Sequence, residues 1–582
     1  MRLLTGILLM TCFLAPVLAD DFDRLVTDFE AHELAHNPIR AGEQGDLDAA
    51  GRWPDHSPER LEEKLAREAE FLERLEAIEM DVLGESEGVT YAMMDYLLRS
   101  RLALAEFEPR RMSFTNDSGF FSQPFNLARR TRPSSLDEAE AWLRRLEALP
   151  DFLTTQKAWL ERAVDTGFVQ PGLVAERAVE QIEALVDQDL DEHPLLAPLH
   201  ALPRGVDAEE RERLESAMRE TIENEIVPAY RELLGYFRNE YLAEPRETVG
   251  ISAVPGGRDY YRALVRHHTT LDTTPEEIHA RGQAEVERIR AEMEAVIEQT
   301  GFEGSFEDFL NYLRTDSRFY ADSERELLMH AAWIAKRADD EMPRFFRNLP
   351  RLPYGVRPVP ESLAPNYTTG RYWAGNLEAG VAGGYLVNTY RLDQRPLYEL
   401  PALTVHEAVP GHHHQIALAQ ELEEVPDFRR NTNVTAFGEG WALYTEYLAI
   451  EMGIYETPYE DFGRLTYEMW RACRLVVDTG LHYFDWSREQ AEACLLENSA
   501  LSTHNVRTEV ERYISWPGQA LAYKTGELLI RELRSKAEDA LGEDFDLRGF
   551  HDHILAQGAM PLSALEARMT AWIKDQGAAE GD

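Results

Sequence analysis

Residues His406–Gln415 read HEAVPGHHHQ. Imidazole nitrogens bind divalent transition metals, and a carboxylate beside the first histidine can carry a proton. The stretch is two residues off the zinc-binding pattern HExxH, in which two histidines one helical turn apart share an ion. Here Pro410 stands where the second histidine would, and the next histidine is His412. A helix turns about 100° per residue, so six residues leave His406 and His412 about 120° apart. Pro410 forbids that straight helix, because it has no N–H for the His406 carbonyl and its ring collides with it. It also pushes Val409 out of the helical region, and Gly411 permits whatever backbone the break needs. Looping out Pro410-Gly411 leaves H-E-A-V-H, which returns His412 to the ligand position. His413 is the rival: seven residues on, it faces the right way but sits about 10 Å along the axis. Two nitrogens that must each approach zinc to about 2.1 Å cannot be that far apart.

A third ligand is needed. GEGWALYTEYL, residues 438–448, offers Glu439 and Glu446 two helical turns apart on one face. Glu439 is assigned to the metal and Glu446 to orienting a histidine. Their neighbours Trp441, Leu443, Tyr444 and Tyr447 argue against a solvated face. With His406, His412 and Glu439 as ligands, Zn2+ keeps one position for water, whose proton Glu407 can take and pass to a leaving amine. The oxyanion then needs donors. TEVERYISWPGQALAYKTG supplies Arg512, Tyr513 and Tyr523, and DTGLHYFDW supplies His482. Tyr523 is preferred; taken singly, each is a common core or surface residue.

These residues sit among helical patterns. SPERLEEKLAREAEFLERLEAIE starts with Ser57 as cap and Pro58 at the first position. SSLDEAEAWLRRLEALPDFL and the stretch from Asp207 to Leu242 keep the same 3.6-residue rhythm. Thr274, Pro275 and Glu277 make a capping box. Leu349–Pro365 is proline-rich and reads as irregular connection. Ala382–Tyr390, AGGYLVNTY, is the best strand. The organisation expected is mainly α: residues 1–19 a leader, 20–245 an N-terminal helical region, 246–582 a region bearing the site.

Composition narrows the partners. The formal net charge is −45, from 105 acidic and 60 basic residues, which excludes a phosphate backbone or an anionic membrane as an evident partner. Among only six lysines, Lys524 stands out by its place in PGQALAYKTG. MRLLTGILLMTCFLAPVLAD has a basic start, a short apolar run, and Val17 and Ala19 before a cleavage point. It reads as a secretory leader, with Thr11 before Cys12 a poor lipoprotein signal. The mature chain is expected to be exported, periplasmic or secreted, without a membrane span. Cys473 and Cys494 read as buried thiols rather than a disulfide.

Four stretches together, PGGRDYYRALVRHHTTLDTTPEEIHARGQAEVERI, HEAVPGHHHQ, GEGWALYTE and RYISWPGQALAYKTGELLI, resemble the bacterial domain-of-unknown-function family eight-eight-five, whose hallmark is HE-x-x-PGH-x-x-Q. The tail FHDHILAQGAMPLSALEA fits too. The family looks like a gluzincin-type peptidase group. GEGWALYTE is similar to the segment of zinc aminopeptidases whose glutamate binds zinc, which implies Glu439. A late tyrosine as oxyanion donor resembles helical peptidases of the angiotensin-converting-enzyme type, which implies Tyr523. The resemblance further implies a two-lobed helical body around a deep cleft and a small sheet near the site. GGYLVNTY, with Tyr385 and Asn388, would be its edge strand against a peptide backbone. His414 occupies a variable position and has no implied role. The function implied is a zinc metallopeptidase acting on short peptides. The alternatives are a zinc-containing peptide-binding protein without catalysis, or a zinc amide hydrolase or acyltransferase on another substrate.

Overall fold

A computed structural model describes residues 15–579 other than 362, 378, 379 and 424. Residues 1–14, most of the expected leader, lie outside the described residues. A helix, Ala15–His36, runs across the expected cleavage point after Ala19. No described helix is long and apolar enough to cross a membrane. Among the described residues the chain is mainly helical with one three-stranded sheet.

Packing divides the chain into two compact units. The first comprises residues to Val82, Leu97–Tyr260 and Ile514–Trp516. The expected division at 245/246 falls inside it. It is all helical, with Trp142, Leu146, Leu160, Ile182, Leu214 and Ile222 fully buried. Ser57 and Ser135 accept the backbone N–H of Arg60 and Glu138 and start helices Pro58–Glu76 and Leu136–Glu147. The long pattern from Asp207 is not one regular helix. Pro228 cannot serve the carbonyl four residues back, and a π turn over Ile222–Ile226 precedes it.

The second unit, Leu83–Tyr96, Tyr261–Tyr513 and Pro517 onward, holds HEAVPGHHHQ and GEGWALYTE. Its elements that matter are α1 (Pro275–Thr300), α2 (Glu324–Phe345), β1 (Tyr354–Pro358), β2 (Gly370–Trp373), β3 (Gly383–Val387), α3 (Leu400–Glu407), α4 (His412–Gln420), α5 (Thr435–Glu451), α6 (Pro458–His482), α7 (Thr503–Ser515) and α8 (Ala522–Leu541). The Thr274–Glu277 capping box is formed at the start of α1. Two sequence expectations about the sheet need correction. The proline-rich stretch contains β1, which the flanking Pro353, Pro358 and Pro360 disguise. β1 pairs in parallel with β3, and β2 pairs with β3 antiparallel, so the order is β1-β3-β2. β3 is thus the central strand, buried along all five residues, and not an edge.

α6 is the axis of the unit and is buried from Phe462 through His482. Such a helix should be apolar all round. This one carries Arg464, Glu468, Arg471, Arg474 and Asp478, and each needs partners, because an unpaired buried charge is prohibitive. Glu468 receives Arg464 at 3.0 Å, Lys524 at 2.9 Å and Arg531 at 3.2 Å. Lys524 also meets Glu285 at 3.1 Å and Glu527 at 2.8 Å. Lys524 therefore ties α1, α6 and α8 together. Glycines allow these helices to touch: a Cβ on Gly282 would lie 2.7 Å from Leu475 Cβ, between α1 and α6. Between α5 and α8, a Cβ on Gly526 would lie 2.0 Å from the Ala436 carbonyl, and one on Gly440 would lie 2.5 Å from Gly526 Cα. Cys473 of α6 and Cys494 are unbonded thiols with sulfurs 3.1 Å apart.

The α5–α8 contact predicts a contrast. Gly526→Ala must separate two backbones and is expected to cost about 1–3 kcal/mol. Gly235, in helix Val227–Tyr236, has nothing within 4 Å of an added Cβ. Gly235→Ala is expected to gain about 0.5–1 kcal/mol from backbone entropy. Thermal melts of both variants check this: a lower Tm for the first and an unchanged or higher Tm for the second.

Candidate metal centre

α3 stops at Glu407 and α4 starts at His412. The interruption is a break between two helices rather than a loop-out in one. Ala408 (φ −97°, ψ −116°) and Gly411 (φ −75°, ψ −130°) leave helical geometry, and the Val409–Pro410 peptide is cis. The Gly411 N–H donates to the Val405 carbonyl at 2.9 Å, folding the chain back over the end of α3. Only glycine fits there, since a Cβ would lie 2.0 Å from the His406 carbonyl oxygen. The freed Pro410 carbonyl accepts Trp441 Nε1–H at 2.9 Å, which fastens the turn to α5.

The break brings the two imidazoles together, with ring centroids 4.8 Å apart. His406 Nε2 and His412 Nε2 lie 3.4 and 3.5 Å from one oxygen of Glu439, Oε2. The ligand atoms of the three residues all lie within 4.8 Å of one another. Glu439 Oε2 is buried and has no hydrogen-bond donor. Behind the cluster, His406 Nδ1–H donates to Glu446 Oε1 at 2.7 Å. That bond turns the Nε2 lone pair toward Glu439. Lone pairs facing one another at such separations repel unless a cation stands among them. The protonation behaviour says the same. Burial alone would lower the pKa of His406, but the carboxylates of Glu439 and Glu446 beside it raise it to about 10. Burial would raise the Glu439 carboxyl, yet the imidazoles of His412 and His406 hold it well below the usual range. The donor set, two neutral nitrogens and a carboxylate, fits a divalent metal such as zinc.

Glu407 follows His406 on α3 and is 7% exposed. Its Oε2 accepts the N–H of Tyr372 at 2.7 Å. Tyr372 belongs to β2, an edge strand, so the edge beside the carboxylate is β2 and not β3. The expectation for Tyr385 and Asn388 is corrected accordingly. Tyr385 is fully buried, its hydroxyl 3.2 Å from Thr404 Oγ1. Asn388 is also fully buried, and its Nδ2 donates to the carbonyls of Ala364, Tyr367 and Thr368 at 2.9–3.0 Å. It clamps a loop. β1 covers the side of β3 that the sequence left open.

The remaining histidines point elsewhere. His413 Nδ1 lies 3.0 Å from the Tyr372 hydroxyl, and its ring packs on Tyr354. His414 is fully buried against Phe346. Tyr513 is 1% exposed, and its hydroxyl accepts Trp470 Nε1–H and Arg474 Nε–H, each at 2.9 Å. His482 is buried with Nε2 2.9 Å from the Tyr513 carbonyl oxygen. These two build the core around α6. Arg512 binds Glu509 at 3.2 Å and also Gln519. Tyr523 is half-buried, its ring 4.3 Å from the Arg474 guanidinium. α8 runs beside α5 in the same direction: Gly526 meets Ala436, Arg531 stacks on Tyr447, and Arg534 pairs with Glu451. Tyr523, one turn before Gly526, therefore lies toward the end of α5 that carries Glu439. Tyr372 and the Trp441–Pro410 bond were not singled out in the sequence. RYW alternates as a strand should, but three residues are too few to read.

The chain belongs to the family described as "Bacterial protein of unknown function (DUF885)", which matches residues 38–569. Among solved structures, a "putative lipoprotein" from Colwellia psychrerythraea is similar at 27% identity and TM-score 0.89, over 96% of this chain and 100% of that one. A "putative lipoprotein of unknown function" from Shewanella oneidensis shares the fold at 18% identity and TM-score 0.73, over 94% and 99% of the two chains. No curated protein matches the chain.

The cluster makes stability depend on pH in the metal-free protein. His406 has a folded pKa of about 10 against 6.5 for the free side chain. Its contribution is complete below pH 6.5 and is lost as pH rises through about 10. Protein treated with a chelator should lose Tm between pH 7 and 10. Glu446→Gln should flatten that loss; an equal slope in both would contradict the assignment.

Proposed function

We propose that this chain is an exported zinc metallopeptidase of the gluzincin kind, hydrolysing short peptides. The observation that carries the reading is the convergence of His406 Nε2, His412 Nε2 and Glu439 Oε2, with Glu407 next along α3. Export is supported by the leader-like first residues and by the lipoprotein descriptions of both similar structures.

His406, His412 and Glu439 would hold the zinc, and Glu446 would keep His406 in the tautomer that binds. Zinc in such a site supplies a Lewis acid that makes water acidic near neutral pH and polarises a carbonyl. Glu407 accepts the proton of the attacking water and delivers it to the departing amine. The Tyr372 N–H holds one carboxylate oxygen, which leaves the other for that exchange. The β2 edge offers an extended substrate backbone a partner next to Glu407. Tyr523 donates its hydroxyl to the oxyanion, a role supported by its partial exposure and by the engagement of Tyr513 and His482 in the core.

Purified protein should carry about one zinc per chain by elemental analysis. His406→Ala, His412→Ala and Glu439→Ala should each lose it, while His413→Ala and His414→Ala keep it. Retention in His412→Ala with loss in His413→Ala would contradict the ligand set.

Glu407→Gln should keep the metal and the fold while hydrolysis of a peptide library, followed by mass spectrometry, falls by several orders of magnitude. Tyr523→Phe should lower kcat about 10²-fold with little change in KM, as a donor used only in the transition state requires. Near wild-type turnover in Glu407→Gln would remove it as the base. Binding of peptides with no cleavage by the wild type would favour a capture protein.

A further inference from the structure

The side of α6 that faces Tyr523 carries buried guanidinium N–H groups that no acceptor answers. Arg471 and Arg474 lie one turn apart on α6, and Arg512 of α7 joins them. Arg474 donates from Nε to the Tyr513 hydroxyl and from Nη2 to Glu509 at 3.2 Å, but its buried Nη1 has no acceptor. Its side chain is 3% exposed, between the rings of Trp470 at 4.6 Å and Tyr523 at 4.3 Å. Arg471 Nε likewise has no acceptor. Its nearest carboxylate is Glu446, at 3.8 Å and already held by His406. Glu509 accepts from both Arg474 and Arg512. Buried guanidinium N–H groups without an acceptor, on Arg474 and Arg471, are unexpected in a chain with 105 acidic and 60 basic residues. A buried guanidinium N–H without an acceptor carries a cost that a ligand oxygen would remove.

We propose that Arg474 and Arg512, backed by Arg471, form a subsite for a carboxylate of the substrate, next to Tyr523. The inference rests on the peptidase reading for the meaning of "substrate". The geometry links the two. The chain Glu439–His406–Glu446–Arg471 runs from the metal cluster to α6 in steps of 3.4, 2.7 and 3.8 Å. Arg474 lies about 4.5 Å further along that helix. Tyr523 lies over Arg474 and, along α8, toward Glu439. A peptide whose scissile carbonyl meets Tyr523 would thus place a neighbouring carboxylate at the arginines. Guanidinium suits that group through its paired N–H donors. The carboxylate is either the C-terminal one or that of an aspartate or glutamate side chain.

The test reads binding without turnover, by calorimetry on the full chain carrying Glu407→Gln. One pair of probes is N-acetyl-trialanine and its C-terminal amide. The other is N-acetyl-Ala-Glu-Ala-amide and N-acetyl-Ala-Gln-Ala-amide. At least one pair should show about tenfold or greater preference for the acid. Preference in the first pair assigns the C-terminal carboxylate; preference in the second alone assigns the side chain. Adding Arg474→Lys or Arg512→Gln should reduce the preference to about twofold or less. No preference in either pair overturns the subsite, and so does an undiminished preference in both folded variants. If Arg474→Lys does not fold, the Arg512→Gln result and the probe pairs decide. Equal binding of acid and amide by a protein that does cleave peptides removes the subsite alone. A preference for acids in a protein that cleaves none removes the peptidase reading and leaves the subsite.

Discussion

The backbone break at Pro410-Gly411 is the constraint from which the candidate centre follows. Two histidines six residues apart cannot share an ion on a continuous helix. The chain ends α3 directly after Glu407, folds the Gly411 N–H back onto Val405, and restarts as α4 with His412 at its first residue. The conformation depends on the absent N–H of Pro410, the absent Cβ of Gly411 and the Trp441 indole on the Pro410 carbonyl. Trp441 lies two residues after Glu439 on α5. The element that supplies the third donor therefore also pins the turn that positions the second.

Around this break the protein concentrates buried charge, and α6 organises it. Glu446 connects His406 with Arg471, and Glu468 gathers Arg464, Lys524 and Arg531. Buried ion pairs contribute little net stability, while losing one partner costs about 3–5 kcal/mol. Such a network specifies how α1, α6 and α8 must meet more than it strengthens their packing. Glycines at 282, 440 and 526 allow the backbone approach that the pairs require.

Much of this was legible in the sequence, and the reasons for the rest are specific. Helices show because apolar periodicity and caps such as Thr274–Glu277 are local signals. The meeting of His406 with His412 could be inferred because proline and glycine constrain the backbone whatever surrounds them. The sheet order could not. It depends on β1, five residues hidden among prolines, whose pairing with β3 spans about thirty positions. Without β1, β3 looks like an edge, a position that β1 and β2 occupy. Tyr513 and His482 attracted attention by residue type, but type does not reveal that a hydroxyl already accepts two bonds or that an imidazole is committed to a carbonyl. Lys524 was conspicuous for its rarity, and its burial among three glutamates shows a structural reason for it.

Crystals of the full chain grown with zinc, with diffraction recorded on both sides of the zinc absorption edge, test the central claim most directly. The account predicts one strong anomalous peak about 2.0–2.2 Å from His406 Nε2, His412 Nε2 and a Glu439 oxygen. It also predicts that Glu446 stays on His406 Nδ1. A peak on His413 or His414, or no peak at the cluster in crystals that bind zinc elsewhere, would contradict it.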